Sequence, residues 1–155
     1  MSGAARPWAL AGILCAVVVA ADQAVKARIE SSLTLGEEVD VLGPLSLTLT
    51  HNKGVAFGLA GGAGLGLVLV TVAALALIAF VFSCDPGKPG MWAAVGLLAG
   101  GALGNLVDRL AAGEVTDYIS VGSWPAFNLA DVAITAGVVL MVLIYLRDAE
   151  PVGDG

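Results

Sequence analysis

Charged residues are scarce in this chain of 155 residues. Asp, Glu, Lys and Arg make up only 13% of it, whereas 58% is apolar and the mean hydropathy is +0.93. Soluble domains carry about 25% charged residues, so this sequence cannot cover a surface exposed to water. Its net charge of −6 also excludes the basic face that nucleic-acid binding requires. The chain is therefore predicted to be an integral membrane protein.

The residue types that bind metals or act as nucleophiles are equally scarce. His51 is the single histidine, and the two cysteines, Cys15 and Cys84, fall too far apart across the predicted membrane to form a disulfide. The sequence has no His-Glu-x-x-His zinc motif and no Gly-x-Ser-x-Gly nucleophile motif. We therefore expect no metal and no other cofactor, which leaves the carboxylates as the candidate reactive groups.

Long apolar runs are what the sequence has in abundance. A helix needs about 20 mostly apolar residues to cross a bilayer, and four stretches qualify, at about 8–26, 62–83, 91–110 and 128–146. The prediction is a single all-α membrane domain over 1–155, a four-helix transmembrane bundle with a polar tail at 147–155. Glycines recur every four residues from 96 to 104 in the third span, which favours close helix packing within the chain over a homodimer contact.

The segment between the first two spans, about 33–58, has β character. Leucines alternate with Ser or Thr over 45–50, and a period of two predicts a strand with one apolar face. Residues 39–41 read Val-Asp-Val, and Gly-Pro at 43–44 separates the two runs, so a hairpin is predicted. We expect a small extracytoplasmic β element with its apolar face on the lipid surface. The connection 111–126 is predicted to be a short loop.

The polar residues of the spans gather at one end of the predicted bundle, because consecutive spans alternate in direction. Charges within spans are costly and indicate a functional site. Structural roles are also open to several of them: Asp22 and Lys26 have the spacing of a helical ion pair, and Asn128 with Asp131 resembles a helix cap. The set comprises Asp22, Lys26, Asn105, Asp108, Arg109, Asp117, Asn128 and Asp131.

Two close carboxylates in a partly dry site can share one proton, which is the basis of aspartic protease chemistry. One carboxylate then activates water while the other donates a proton to the substrate carbonyl. Two other functions remain open from the residues alone. A small proton- or cation-coupled transporter would also use embedded carboxylates, although it needs polar groups near the bilayer midplane. A structural assembly subunit would rest on the glycine stripe alone.

Five motifs in this order resemble those of the lipoprotein signal peptidases, or signal peptidase II. This resemblance implies an intramembrane aspartic endopeptidase of the bacterial cytoplasmic (inner) membrane. Such an enzyme removes signal peptides from diacylglyceryl-modified prolipoproteins and cleaves before the lipidated cysteine. The motifs are DQAVK at 22–26, HNKGVAFG at 51–58, GGALGNLVDR at 100–109, VTDYI at 115–119 and FNLADVAI at 127–134.

The resemblance also implies roles for individual residues. Asp117 and Asp131 match the catalytic pair; we expect Asp131, at the positive end of a helix, to be ionised and Asp117 to hold the shared proton. Asp22, Lys26 and Asp108 are expected to support the structure of the site. The residues expected to bind substrate or support the pair are Asn52, Gly54, Asn105, Arg109 and Asn128.

The implied setting is a multi-pass protein with both termini cytoplasmic and the site on the extracytoplasmic side. The Lys and Arg residues number three at one end and four at the other, so charge bias leaves the orientation open. The expected partners are the lipid-modified prolipoprotein and membrane lipids, with the chain as a monomer. We also expect residues 45–58 to lie on the membrane and help to enclose the substrate.

The sequence departs from the family pattern at three positions. His51 stands where arginine is common, Thr116 replaces the usual valine, and Val132 follows the second acid where serine or threonine is frequent. The loop between Asp117 and Asp131 is also short. Since no carboxylate is lost, we expect the chemistry to be retained and the positioning of substrate to differ.

Overall fold

The computed structural model describes residues 5–54 and 63–149. Within them lie four helices long and apolar enough to cross a membrane, α1 (Ala5–Glu30), α2 (Ala63–Cys84), α3 (Met91–Ala111) and α4 (Leu129–Ala149). The predicted four-helix membrane bundle is confirmed. Residues 55–62 of the predicted loop and second span, and residues 150–155 of the predicted tail, lie outside the described residues.

Helix α3 packs between α1 and α4, and its glycines make this close approach possible. Gly96, Gly100 and Gly104 all face α1: a methyl group added at Gly100 would lie 2.7 Å from Cβ of Val18, and one at Gly104 would lie 2.7 Å from Oδ2 of Asp22. The glycine stripe therefore packs within the chain, as predicted. It also brings the backbone of α3 close to the acidic end of α1.

A four-stranded antiparallel sheet lies beside the bundle, in the order β1 (Glu38–Leu42), β2 (Leu45–Asn52), β3 (Val115–Val121) and β4 (Trp124–Phe127). The predicted hairpin forms β1 and β2. The prediction of a loop at 111–126 was wrong, because this segment supplies the other two strands. The sequence of β3, VTDYISV, is rich in β-branched and aromatic residues, but its third residue, Asp117, breaks the apolar alternation that would have indicated a strand.

The sheet packs against the end of α1 rather than lying entirely on lipid. Leu49 of β2 and Tyr118 of β3 form a buried cluster with Ile29 of α1, and Leu47 packs against it. The expectation that the apolar face of β2 lies on the lipid surface is therefore wrong for Leu49, which is 5% exposed. Ile29 and Tyr118, rather than lipid, cover this part of the apolar face of β2.

Candidate active site

The candidate site lies where five elements meet: the last turns of α1 and α3, the first turn of α4, and strands β2 and β3. Asp117 is the third of the seven residues of β3 and is 3% exposed. The register of the sheet pairs it with Thr50, which brings the end of β2 beside its side chain. The strand that sequence reasoning missed is thus the element that carries Asp117 into the site.

Both carboxylate oxygens of Asp117 accept amide hydrogen bonds. Asn52 Nδ2 donates to Oδ2 at 3.1 Å, and Asn128 Nδ2 donates to Oδ1 at 2.8 Å. The pKa of Asp117 is raised from 3.8 to about 6. Burial is the largest cause and the nearby Asp131 carboxylate adds to it, while the amides of Asn52 and Asn128 act in the opposite direction. Asp117 can therefore hold a proton at a pH where an exposed aspartate would be fully ionised.

Asp131 is held in the first turn of α4 by a reciprocal cap. Asn128 Oδ1 accepts from the Asp131 backbone N–H at 3.0 Å, and Asp131 Oδ2 accepts from the Asn128 backbone N–H at 3.2 Å. The predicted helix cap is therefore present. The other carboxylate oxygen of Asp131, Oδ1, accepts from Asn105 Nδ2 at 2.8 Å. The cap does more than begin a helix, because Asn128 donates to both Asp117 and Asp131.

Gly54 orients the amide of Asn52. The backbone N–H of Gly54 donates to Asn52 Oδ1 at 2.9 Å, which leaves Nδ2 of that amide facing Asp117. The turn requires a positive φ of 70° at Gly54, a conformation that glycine adopts without strain. A side chain there would also meet Leu67 of α2. Gly54 therefore supports the site through its backbone.

A buried ionic network lies behind the two acids. Lys26 Nζ lies 2.7 Å from Asp22 Oδ2, 2.7 Å from Asp108 Oδ2 and 3.1 Å from Asn105 Oδ1. The helical pair predicted between Asp22 and Lys26 is present, and Asp22 Oδ1 also accepts from the backbone N–H of Ala130 at 3.0 Å. The network therefore joins α1 to α3 and to the first turn of α4.

Arg109 lies beside the acids without bonding to them in the part of the chain that the structure describes. Its Nη1 donates to the backbone carbonyl of Asn105 at 3.3 Å. It also lines, with Asp131 and residues of α2, a cavity of about 330 Å³. Its place at the cavity wall suits contact with a bound molecule better than support of the carboxylates.

Asp131 also lines a second cavity, of about 480 Å³, on the other side of α4. Trp124, Phe127 and Val132 contribute to the walls of this cavity. Val132, one of the three departures from the family pattern, therefore lies next to Asp131 in an apolar cavity. Asp131 is thus the polar group at the junction of two largely apolar spaces. A long apolar ligand can approach the acid from either side.

Three contacts of the site were missed by sequence reasoning. Gln23 Nε2 donates to Asp108 Oδ1 at 2.8 Å, and Thr50 Oγ1 donates to the backbone carbonyl of Asp117 at 3.2 Å. Tyr118 Oη accepts from the Leu129 backbone N–H at 3.1 Å, and burial raises its pKa to about 12. Gln23 and Tyr118 each adjoin a predicted acid within a quoted motif, so their positions in the motifs were the available signal.

In the part of the chain that the structure describes, no three or more His, Cys, Asp or Glu side chains are placed to hold a metal ion. The N–H groups of the site point instead at the carboxylate oxygens of Asp117 and Asp131. The arrangement suits proton transfer between two carboxylates and a bound water.

Comparison with known proteins identifies the family. The sequence model described as Signal peptidase (SPase) II matches residues 14–147. The chain belongs to the signal peptidase II family. It is 42% identical over 140 residues to the lipoprotein signal peptidase of Pelotomaculum thermopropionicum, which covers 89% of this chain and 92% of that protein. The lipoprotein signal peptidase of Moorella thermoacetica is 40% identical, with 91% and 95% covered.

Solved structures agree with this membership of the signal peptidase II family. A bacterial membrane enzyme solved by the in meso method at 2.3 Å resolution superimposes with a TM-score of 0.83 at 31% identity, covering 94% of this chain and 92% of that one. A second, at 1.9 Å resolution, gives 0.79 at 32% identity. The chain is thus a multi-pass membrane peptidase, and the interpretation as a transporter is not supported.

Proposed function

We propose that this signal peptidase removes signal peptides from diacylglyceryl-modified prolipoproteins, with Asp117 and Asp131 as its catalytic pair. The observation that carries the proposal is Asn128, whose side chain donates to Asp117 and whose backbone donates to Asp131. One residue therefore holds both carboxylates at the same point. Two neighbouring carboxylates favour a state that shares a single proton.

The proposed reaction divides the work between the two acids. Ionised Asp131, near the positive end of α4, accepts a proton from water as it attacks the scissile carbonyl. Protonated Asp117 donates to the carbonyl oxygen, which gives a gem-diol. When the C–N bond of this gem-diol breaks, Asp131 passes its proton to the leaving amine and Asp117 takes a proton back from a diol hydroxyl. The amides of Asn52, Asn105 and Asn128 hold both carboxylates in place through these steps.

The two cavities that meet at Asp131 support a substrate with apolar parts on both sides of the cleaved bond. Walls of Trp124, Phe127 and Val132 on one side, and of α2 and α3 on the other, suit an apolar signal peptide and the acyl chains of a diacylglyceryl group. Cleavage immediately before the lipidated cysteine places the lipid next to the acids. The role proposed for Arg109 is to contact the substrate at the cavity wall.

Direct assay of the purified protein tests this function. In detergent, the protein is expected to cleave a diacylglyceryl-modified prolipoprotein equally well with and without a chelator, because the proposed chemistry uses carboxylates alone. The matched control is the same prolipoprotein before lipid modification, which should not be cleaved. Loss of cleavage on chelation, or equal cleavage of both substrates, would contradict the proposal.

The chain is further proposed to lie in the bacterial inner membrane as a monomer, with the site extracytoplasmic and both termini cytoplasmic. Lipidation of the substrate places its cleavable bond at the membrane surface, where the polar end of the bundle would meet it. The glycine stripe of α3 is occupied by α1, which supports a monomer over a dimer formed through that stripe.

Thiol labelling tests this orientation. Cys84, exposed at the end of α2 far from the site, is expected to resist a membrane-impermeant maleimide in intact cells and to react after lysis. The matched variant is Cys84→Ala with Ser31→Cys, which moves the thiol to an exposed position after α1, at the site end. This variant should label in intact cells. The reverse pattern would invert the proposed topology.

A further inference from the structure

The site contains three asparagine amides, and each has a donor on its oxygen. When the oxygen of a side-chain amide accepts a hydrogen bond, the oxygen faces that donor and the NH₂ group points to the opposite side. The backbone N–H of Gly54 fixes Asn52, and the backbone N–H of Asp131 fixes Asn128. Asn105 differs from them, because its oxygen accepts from two side chains, Lys26 Nζ and Asn128 Nδ2, each at 3.1 Å.

The charged donor of the two is Lys26, which is 3% exposed. An ammonium group has three N–H donors and no acceptor. The three donors of Lys26 face Asp22 Oδ2, Asp108 Oδ2 and Asn105 Oδ1, at 2.7, 2.7 and 3.1 Å. The third contact goes beyond the ion pairs. Together with the hydrogen bond from Asn128 Nδ2, it holds the oxygen of Asn105 away from Asp131 and turns Nδ2 of Asn105 toward Asp131, to which it donates at 2.8 Å.

We propose that Lys26 is a positioning residue of the peptidase, whose ammonium, the charged one of the two donors to Asn105 Oδ1, fixes the direction of the Asn105 amide together with Asn128 and thereby holds the Asp131 carboxylate for catalysis. This inference rests on the proposed catalytic pair. A purely structural Lys26 would need only its two acidic partners. Each of these has other donors: Ala130 N–H for Asp22, and Gln23 for Asp108.

The ammonium also acts on Asp117 through space. Burial raises the pKa of Asp117, whereas the positive charge of Lys26 lowers it. The other charged or titratable groups around the acids are Asp22 on α1, Asp108 and Arg109 on α3, Tyr118 on β3 and Asp131 on α4. Without Lys26 the ionised form of Asp117 loses a favourable interaction. The proton on Asp117 would then be retained to higher pH.

The test replaces Lys26 by Met and measures kcat, KM and the pH profile on a lipid-modified prolipoprotein. Misplacement of a reacting group by about 1 Å costs about 10²-fold in rate, so we expect kcat to fall by about that factor and KM to change little. The alkaline limb of the profile should move to higher pH. Lys26→Arg, which keeps a cationic donor, should recover part of kcat.

Two further variants separate positioning from stability. Lys26→Met with Asp22→Asn removes one charge of each sign, which avoids leaving an extra buried carboxylate unpaired, and should show the same loss of kcat. Gly100→Ala, which crowds Val18 at the same α1–α3 contact, should lower thermal stability while kcat is retained.

Several results would overturn the role of Lys26. It fails if kcat and the pH profile of the folded Lys26→Met or double variant match the wild type, or if only KM rises. It also fails if Gly100→Ala reproduces the kinetic change. If one of these results is obtained while Asp117→Asn and Asp131→Asn are inactive in the same assay, only the role proposed for Lys26 is overturned. Activity in both of these variants would instead overturn the proposed function.

Discussion

Asp117→Asn is expected to lower cleavage of a lipid-modified prolipoprotein by about 10⁴-fold, the upper range for loss of a positioned acid or base. The amide cannot take part in proton transfer, although it matches the carboxylate in shape. In the variant, one of the two carboxylate oxygens of Asp117 is replaced by an NH₂ group. This donor then faces the donor amide of Asn52 or of Asn128. The measurement is the single-turnover rate in detergent, with folding checked by thermal unfolding.

Asp131→Asn should cause a comparable loss, and the double variant should be little worse than either, because groups that act as a unit are not additive. Asp40→Asn on the exposed strand β1 is the matched control and should leave the rate unchanged. Near-normal cleavage by either single variant of the pair would show that its carboxylate is not catalytic. An equal loss of rate in Asp40→Asn would indicate a general effect of removing a negative charge.

The second large effect is expected in the pH dependence of kcat/KM. Burial raises the pKa of Asp117 to about 6, and the proposed reaction needs this residue protonated. The reactive form of the free enzyme is therefore lost as the pH rises through about 6. We expect kcat/KM to fall above that value by about tenfold per pH unit. The limb belongs to the coupled pair of acids rather than to Asp117 alone.

Asn52→Ala tests the assignment of this limb. The amide of Asn52 opposes the effect of burial and lowers the pKa of Asp117, so its loss should move the limb to higher pH. The maximum rate should also fall, by about tenfold or more, because Asn52 donates to the negative charge that develops on Asp117 as it gives up its proton, and a hydrogen bond to a charged group contributes about 1.5–3 kcal/mol. A profile that rises through pH 6 would assign the role of base to Asp117 and contradict the proposed division of work.

The sequence by itself determined the number of spans and the end of the bundle at which the site lies. Span length and apolar content are local properties, and alternation of direction then places Asp22, Asp117 and Asp131 at one end. The ion pair of Asp22 with Lys26 and the cap formed by Asn128 also span only three or four residues. Such short-range contacts follow from helical geometry.

Only the tertiary structure decided which donor meets which oxygen. Asn52 and Asp117 are 65 residues apart, and Lys26 and Asn105 are 79 apart. These contacts depend on the register of β2 with β3 and on the close approach of α1 to α3. A local sequence pattern cannot indicate contacts between residues that are so far apart in the chain. The placing of Asp117 on a strand was hidden for the same reason, because a buried acid interrupts the apolar alternation of β3, and the amides of Asn52 and Asn128 that stabilise it lie outside that strand.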